Sequence, residues 1–209
     1  MSRCVILSAG PVSDISSLRE YLLDDDFIIA ADGGWRLAER LDVRPSAIVA
    51  DFDSSSIPSV SEDVDVIHLP VRKDCTDTAA AVDYALNKGY TEFLLLGCLG
   101  GRLDHQYAAM QLLVQLAQRG CQAVMADGDN CITAVTTSPY IAQPMCDRSL
   151  SLFAFGGAVH GLTIHGAAYD LSGYDLQPSD PLCVSNAVQD VPCEIMFTDG
   201  TLLVFRSKD

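Results

Sequence analysis

Residues 92–120 read EFLLLGCLGGRLDHQYAAMQLLVQLAQRG, and they carry the clearest structural signal in the sequence. It begins with an unbroken apolar run, passes through a glycine-rich turn and continues with helical periodicity up to Gly120. We predict a buried strand over residues 92–101 and a helix from about Asp104 to Arg119. A fully apolar strand that leads straight into a helix is the repeating unit of a parallel sheet covered on both faces.

The same alternation extends in both directions from this stretch. Strands are predicted over 4–10, 27–34, 46–53, 65–71 and 121–127, and helices over 13–24, 35–41 and 76–89. Thr76 is expected to cap the third of these helices and Gly89 to end it. The acidic run 24–26 is expected to be a solvated helix end. In such a sheet, ligands bind beyond the carboxyl ends of the strands.

From about residue 130 the pattern changes to short strands separated by Gly, Pro, Asp and Asn. The strand segments are 131–137, 149–155, 160–171, 182–188, 193–199 and 201–207. We therefore predict an N-terminal parallel-sheet α/β domain over residues 1–129, followed by a smaller all-β sandwich domain over residues 130–209.

Composition excludes several classes of protein. The 209-residue chain carries a formal net charge of −15, which disfavours binding to nucleic acid because a phosphate backbone attracts a basic surface. No signal peptide and no apolar stretch long enough to span a bilayer is visible. The eight cysteines include no CxxC pair, so we expect reduced thiols and a soluble cytoplasmic protein.

Acidic and glycine-rich turns follow four of the predicted strands. Asp32-Gly33-Gly34, Asp51-Phe52-Asp53-Ser54, Lys73-Asp74-Cys75-Thr76-Asp77 and Gly100-Gly101-Arg102-Leu103-Asp104-His105 are these turns. A parallel sheet brings such turns to one edge. Any one of them could be a polar turn or a helix cap, but four convergent ones indicate a site.

The residue types in these turns suit phosphoryl transfer. Carboxylates with Ser and Thr hydroxyls offer the oxygen ligands that Mg²⁺ prefers. The paired glycines let backbone amides approach phosphate oxygens. Lys73 and Arg102 supply positive charge. The sequence therefore predicts a magnesium- and phosphate-binding edge.

In this order, ADGG (31–34), DFDS (51–54), KDCTDTAAA (73–81) and GGRLDH (100–105) resemble the thiamine pyrophosphokinase family, as does the pair Ser185-Asn186. The resemblance covers almost the whole chain. It implies transfer of a pyrophosphoryl group from ATP to the hydroxyl of thiamine, giving thiamine diphosphate and AMP, with Mg²⁺. It also implies a homodimer with shared active sites.

The resemblance also implies roles for individual residues. Asp51, Asp53 and Asp77 would be the metal ligands and, with Arg102 and Asp104, the catalytic residues. Ser185 and Asn186 would bind thiamine. The residues expected to bind ATP and its phosphates are Asp32, Gly33, Ser54, Lys73, Asp74, Thr76, Gly101, Arg102 and His105.

Some alternatives stay open at this point. Ala50 stands where the family usually has Gly before the DxDS pair, and the family signature in the β half is looser than usual. Either Tyr169 or Tyr174 could stack on thiamine. The string AIVADFDSS also fits a haloacid-dehalogenase-like phosphatase, although such enzymes place this motif on their first strand. A non-enzymatic nucleotide or thiamine sensor is the third interpretation, which the intact acidic set disfavours.

Overall fold

The computed structural model describes residues 3–51, 64–70, 75–145, 147–188 and 190–208. The chain forms two compact units, one of residues 1–116 with 120–128 and the other of residues 117–119 with 129–209. Within the described ranges, none of the helices combines the length and the apolar composition needed to cross a bilayer.

The first unit alternates strands with helices, as its sequence predicts. Its strands are β1 (Cys4–Leu7), β2 (Phe27–Ala31), β3 (Ala47–Ala50), β4 (Asp65–His68), β5 (Glu92–Leu96) and β6 (Gln122–Ala126). Its helices are α1 (Ile15–Arg19), α2 (Gly34–Leu41), α3 (Asp77–Asn87) and α4 (Leu103–Gln118). Strands β2 and β5 are shorter than predicted, because the polar and glycine-rich residues at 32–33 and 97–101 lie in turns and bends.

All strand pairs in this unit are parallel, in the order β4-β3-β2-β1-β5-β6. The chain moves outward from β1 to β4 and then returns to place β5 on the other side of β1. The strand order therefore reverses between β1 and β5, which is where open α/β sheets bind ligands. The predicted α/β class is confirmed.

An apolar core holds this unit together. Val5, Leu94 and Leu96 of the sheet pack with Leu37 and Leu41 of α2. Helix α2 can approach the sheet closely because its first residue is Gly34: a Cβ there would lie 1.9 Å from the Leu7 carbonyl oxygen.

The expectation of a solvated acidic run at 24–26 is wrong for Asp26. The carboxylate of Asp26 is 1% exposed and pairs with Arg3 through the guanidinium Nη2 at 2.8 Å and Nε at 3.0 Å. It also accepts the backbone N–H of Leu23. Two charge-assisted bonds compensate the cost of burying this carboxylate.

The second unit contains only strands among its described elements. They are β7 (Asn130–Val135), β8 (Tyr140–Ala142), β9 (Ser149–Ala154), β10 (Val159–His165), β11 (Leu171–Leu176), β12 (Cys193–Met196) and β13 (Leu202–Ser207). Strand β13 pairs antiparallel with β7 and with β9, and a four-stranded sheet has the order β11-β10-β12-β8.

Inward side chains from both groups of strands form one core, including Leu152, Leu162, Ile195 and Val204. This is the predicted sandwich. The predicted strand 182–188 is wrong, however: Ser185 has φ +58°, and the segment forms only an isolated bridge, between Asn186 and Leu150, rather than a continuous strand.

Candidate functional site

A cavity of about 470 Å³ lies at the point where the strand order of the first unit reverses. Its wall is formed by the ends of β1, β2 and β5 and the residues after them, by the start of α3, and by α4. Its lining residues are Ser8, Ala9, Gly10, Pro11, Ala31, Asp32, Thr76, Asp77, Thr78, Gly97, Cys98, Gly100, Gly101, Arg102, His105, Ala108, Ala109 and Leu112.

The turn after β5 must follow the chain after β1 very closely. The backbone N–H of Gly10 donates to the carbonyl oxygen of Gly97 at 2.8 Å. Gly97 has φ +70°, and a Cβ there would lie 2.4 Å from the Ser8 carbonyl oxygen. Only glycine satisfies both conditions, so the Gly97 position is fixed by backbone geometry.

Six of the residues predicted to bind phosphate or to act in catalysis line this cavity. They are Asp32, Thr76, Asp77, Gly101, Arg102 and His105. They come from three separate turns of the sequence, and the parallel sheet brings them together at one edge.

Asp32 is placed by an unusual backbone conformation. It follows β2 directly, has φ +48°, and its N–H donates to the Val49 carbonyl oxygen at 2.9 Å. The alternative role of Asp32 as the cap of α2 does not hold, because the cap residue is Gly33 and no side chain bonds there.

Thr76 and Asp77 begin α3 as the sequence predicts. The hydroxyl of Thr76 accepts the N–H of Ala79 at 3.2 Å, so Thr76 is the N-cap, and Asp77 is the first helical residue. A carboxylate in the first turn is stabilised by the helix dipole. The capping geometry therefore holds Asp77 at the cavity wall.

Arg102 and Asp104 form a two-point ion pair at the start of α4. The guanidinium Nη2 lies 2.6 Å from Asp104 Oδ2 and Nε lies 3.1 Å from Oδ1. The hydrogen bond from Arg102 lowers the pKa of Asp104 and raises that of Arg102. Both side chains are largely exposed, so Arg102 can exchange Asp104 for an anionic ligand at small cost.

Other predicted residues lie elsewhere or outside the described ranges. Gly33, Asp51 and Asp104 are described but do not belong to the cavity lining; Asp51 is half-buried and directly follows β3. Four predicted residues fall outside the described part of the chain: Asp53, Ser54, Lys73 and Asp74.

The donor chemistry of the cavity fits the predicted magnesium ion. In the described ranges no three His, Cys, Asp or Glu side chains are grouped closely enough to hold a metal by themselves. Mg²⁺ is usually held by one or two carboxylates, with water and substrate phosphates completing its shell. Asp32 and Asp77 supply two carboxylates to the same cavity.

The two residues predicted to bind thiamine lie in the second unit and differ in exposure. Ser185 is exposed. Asn186 is only 7% exposed. Its side-chain Nδ2 donates to the Tyr169 carbonyl oxygen at 2.7 Å, and its Oδ1 accepts the Tyr169 backbone N–H at 3.0 Å. Asn186 therefore fixes the loop that carries Tyr169.

The two aromatic residues considered for thiamine stacking are also distinguished. The Tyr169 ring is freely accessible, with 74% of the residue exposed. Tyr174 is half-buried, and its hydroxyl donates to Asp180 Oδ2 at 2.5 Å. Of the two, Tyr169 has the face available for stacking.

Sequence reasoning missed Ser8, Thr78 and Cys98 as cavity residues. Ser8 was recognisable as the first polar residue after β1, the strand at which the order reverses. Cys98 appeared to be part of a buried strand, and Thr78 appeared to be an ordinary helix residue.

Comparison with known proteins identifies the family. The model of the thiamin pyrophosphokinase catalytic domain matches residues 18–125, and that of the thiamin pyrophosphokinase vitamin B1 binding domain matches residues 140–202. The thiamine pyrophosphokinase of Bacillus subtilis (strain 168) is 27% identical over 98% of both chains.

Solved structures agree with the sequence matches. The crystal structure of thiamine pyrophosphokinase from Bacillus subtilis has a TM-score of 0.90 at 26% identity and covers 100% of both chains. That of thiamin pyrophosphokinase from Geobacillus thermodenitrificans has a TM-score of 0.85 at 26% identity, with 100% of this chain and 98% of the other covered.

The fold combines a β-sandwich unit with an α/β unit whose polar cavity lies where the strand order reverses. Together with the family matches, it defines the protein as an enzyme, a transferase of thiamine metabolism. The chain belongs to the thiamin pyrophosphokinase family.

Proposed function

We propose that the protein transfers a pyrophosphoryl group from ATP to the hydroxyl of thiamine, giving thiamine diphosphate and AMP in a magnesium-dependent reaction. The thiamine hydroxyl oxygen forms a bond to the β-phosphorus, the bond to the AMP oxygen breaks, and one proton is released. Family membership supports the reaction. The observation that carries it is the cavity in which Asp32, Asp77 and Arg102 meet.

Within the cavity, we assign the phosphate contacts to backbone amides and cations. Gly101 adopts φ +75°, a conformation that favours glycine, and having no Cβ it lets phosphate oxygens approach its backbone N–H. Arg102 offers a planar guanidinium for phosphoryl oxygens. Asp104 orients that fork until the ligand arrives. The remaining proposed ATP-binding residues are Asp32, Gly33, Ser54, Lys73, Asp74, Thr76 and His105.

We assign the magnesium ion to Asp51, Asp53 and Asp77. When bound, the ion would neutralise phosphate charge and so favour attack on phosphorus. The chain's own part is to hold the carboxylates in place: Asp77 by the capped start of α3, and Asp51 by the end of the buried strand β3.

We place thiamine at the second unit, with Ser185 and Asn186 as its predicted binding residues. Support comes from the exposed hydroxyl-bearing Ser185 and from the bonds by which Asn186 holds the loop of Tyr169. Tyr169 offers an exposed ring for stacking.

The proposal includes the domain roles and the assembly. Residues 1–129 would form the nucleotide- and magnesium-binding domain, and residues 130–209 the thiamine-side and dimerisation domain, in a homodimer with shared sites. A mass measurement in solution tests the dimer. The free thiols of all seven described cysteines support a cytoplasmic location.

The decisive experiment is product analysis after incubation with ATP, Mg²⁺ and thiamine. We expect AMP and thiamine diphosphate in equal amounts. Formation of ADP or free phosphate instead would contradict the proposal and favour a simple kinase or a phosphatase.

A matched pair of variants tests the site. Asp77→Asn removes one carboxylate charge from the cavity and should lower kcat/KM about a hundredfold or more with the fold unchanged. Asp83→Asn makes the same change on an exposed turn of the same helix and should leave the rate unchanged. Equal rates in both variants would remove Asp77 from the site.

A further inference from the structure

Three polar side chains form a hydrogen-bonded chain on the wall of the cavity. The thiol Sγ of Cys98 donates to the Oγ of Ser8 at 3.3 Å, and the Oγ of Ser8 lies 2.9 Å from the Oγ1 of Thr78. All three residues line the cavity. We refer to Cys98, Ser8 and Thr78 as the polar chain.

The polar chain is rigidly placed by the elements that carry it. Ser8 follows β1, is 6% exposed, and its backbone N–H donates to the Leu96 carbonyl oxygen at 2.9 Å. Thr78 lies in the first turn of α3, and Cys98 follows β5. The polar chain therefore joins two strand ends and a helix start at the point where the strand order reverses.

The polar chain has more donor protons than its own hydrogen bonds require. A thiol and two hydroxyls carry three protons. The thiol donates its proton to Ser8, and one hydroxyl proton is used between Ser8 and Thr78. In this arrangement the other hydroxyl proton has no oxygen acceptor among the described residues.

The thiol is a poor acceptor for the hydroxyls at neutral pH. Burial raises the pKa of Cys98 to about 11, so Cys98 keeps its proton, and a neutral thiol sulfur accepts hydrogen bonds only weakly. A spare hydroxyl donor beside a cavity is a binding group for an acceptor atom, because a buried donor without a partner is costly.

We infer that the Ser8–Thr78 hydroxyl pair donates one hydrogen bond to an acceptor oxygen of the nucleotide that occupies this cavity. The inference rests on the proposed function, since it takes the occupant to be ATP. The phosphates and the ribose of a nucleotide both present acceptor oxygens, and the titrations described below distinguish between them.

The test is the dissociation constant for ATP with Mg²⁺, measured by titration calorimetry without thiamine so that no turnover occurs. Ser8→Ala/Thr78→Val removes both hydroxyls and should weaken binding about tenfold or more. Thr78→Ser keeps a hydroxyl at the same place and should bind within about threefold of the wild type. Ser8→Ala/Thr78→Ala replaces the first pair if that pair does not fold.

Thr136→Val is the matched control. It removes a half-buried hydroxyl that donates to the Ala117 carbonyl oxygen at 3.3 Å and does not line the cavity. Its affinity for ATP should equal that of the wild type. Melting temperatures of all variants establish that they are folded.

The outcomes separate this inference from the proposed function. A wild type that does not bind ATP overturns both. Binding by the wild type and equal binding by the double variant overturns the hydroxyl donor alone. A selective loss by the double variant supports it, and parallel titrations locate the acceptor: a loss with inorganic pyrophosphate assigns a phosphate oxygen, and a loss with adenosine places the acceptor on the nucleoside.

Discussion

The two units treat their buried polar side chains in opposite ways. In the α/β unit, Ser8 is buried but lines a cavity, and the Ser8–Thr78 hydroxyl pair is the donor that we infer for a ligand. In the β unit, Asn186 is buried to the same degree, but its amide bonds are made within the protein. Equal burial therefore accompanies two different roles.

Arg206 in the β unit fits neither pattern. It is 6% exposed, and its three guanidinium nitrogens have no hydrogen-bond partner among the described residues. Burial lowers the pKa of Arg206. The hydrogen-bond inventory, rather than burial, therefore separates a ligand-binding group from a structural one, and Arg206 tests this rule.

The largest effect on stability is expected at Asn186. Asn186→Ala removes the partners of both backbone groups of Tyr169 and of the Ala187 N–H, which bonds Oδ1 at 2.9 Å. The free energy of unfolding should fall by about 1–3 kcal/mol, because three partly buried backbone groups lose their partners. Urea denaturation measures the change.

The neighbouring Ser185→Ala is the control for Asn186. Ser185 is exposed, so its substitution should change the free energy of unfolding by less than about 0.5 kcal/mol. If Asn186→Ala were as mild as Ser185→Ala, the Asn186 amide would not hold the Tyr169 loop, and the contrast with Ser8 would disappear.

An effect of opposite sign is expected at Arg206. Arg206→Met keeps the length of the side chain and removes a buried charge without hydrogen bonds, so it should raise the free energy of unfolding by about 1–2 kcal/mol. Lys208→Met removes an exposed cation near the end of the same strand and should change it by less than about 0.5 kcal/mol. A clear loss of stability in Arg206→Met would mean that the guanidinium is paired in the protein as it exists in solution.

The sequence predicts the α/β unit well, because hydrophobic periodicity and helix caps are local signals. Thr76 caps α3 and Gly89 follows its end, with φ +89°, as expected. The residues that converge from separate turns, such as Asp32, Asp77 and Arg102, also follow from the parallel-sheet rule. Their individual roles remain predictions.

The β unit is predicted less well, because short strands depend on their partners. Strand β8 has three residues between Pro139 and Pro144, and β11 contains Gly173 at φ +62°, so neither has a clear strand pattern. Segment 182–188 has a strand-like composition, yet the positive φ of Ser185 interrupts it.

Long-range polar contacts explain the other failures. Asp26 appeared to be part of a solvated acidic run, and its pairing with Arg3 joins residues 23 positions apart. The Ser8–Thr78 bond joins residues 70 positions apart. No local pattern announces such a contact, because the fold alone brings these side chains together.

The smallest effect is expected at the exposed Arg102–Asp104 pair, the counterpart of the buried groups. Arg102 lowers the folded-state pKa of Asp104. Its stabilisation is therefore present at neutral pH, above the unfolded value of about 3.9, and is lost as the pH falls through the lower folded value. The melting-temperature difference between wild type and Asp104→Asn should be small at pH 7 and should shrink as the pH falls below about 3.9. In an Arg102→Gln background the difference at pH 7 should be smaller but not zero, because the His105 N–H also bonds the Asp104 carboxylate and lowers its pKa. A difference that grows with acid would show that Asp104 is stabilised by something other than this pair.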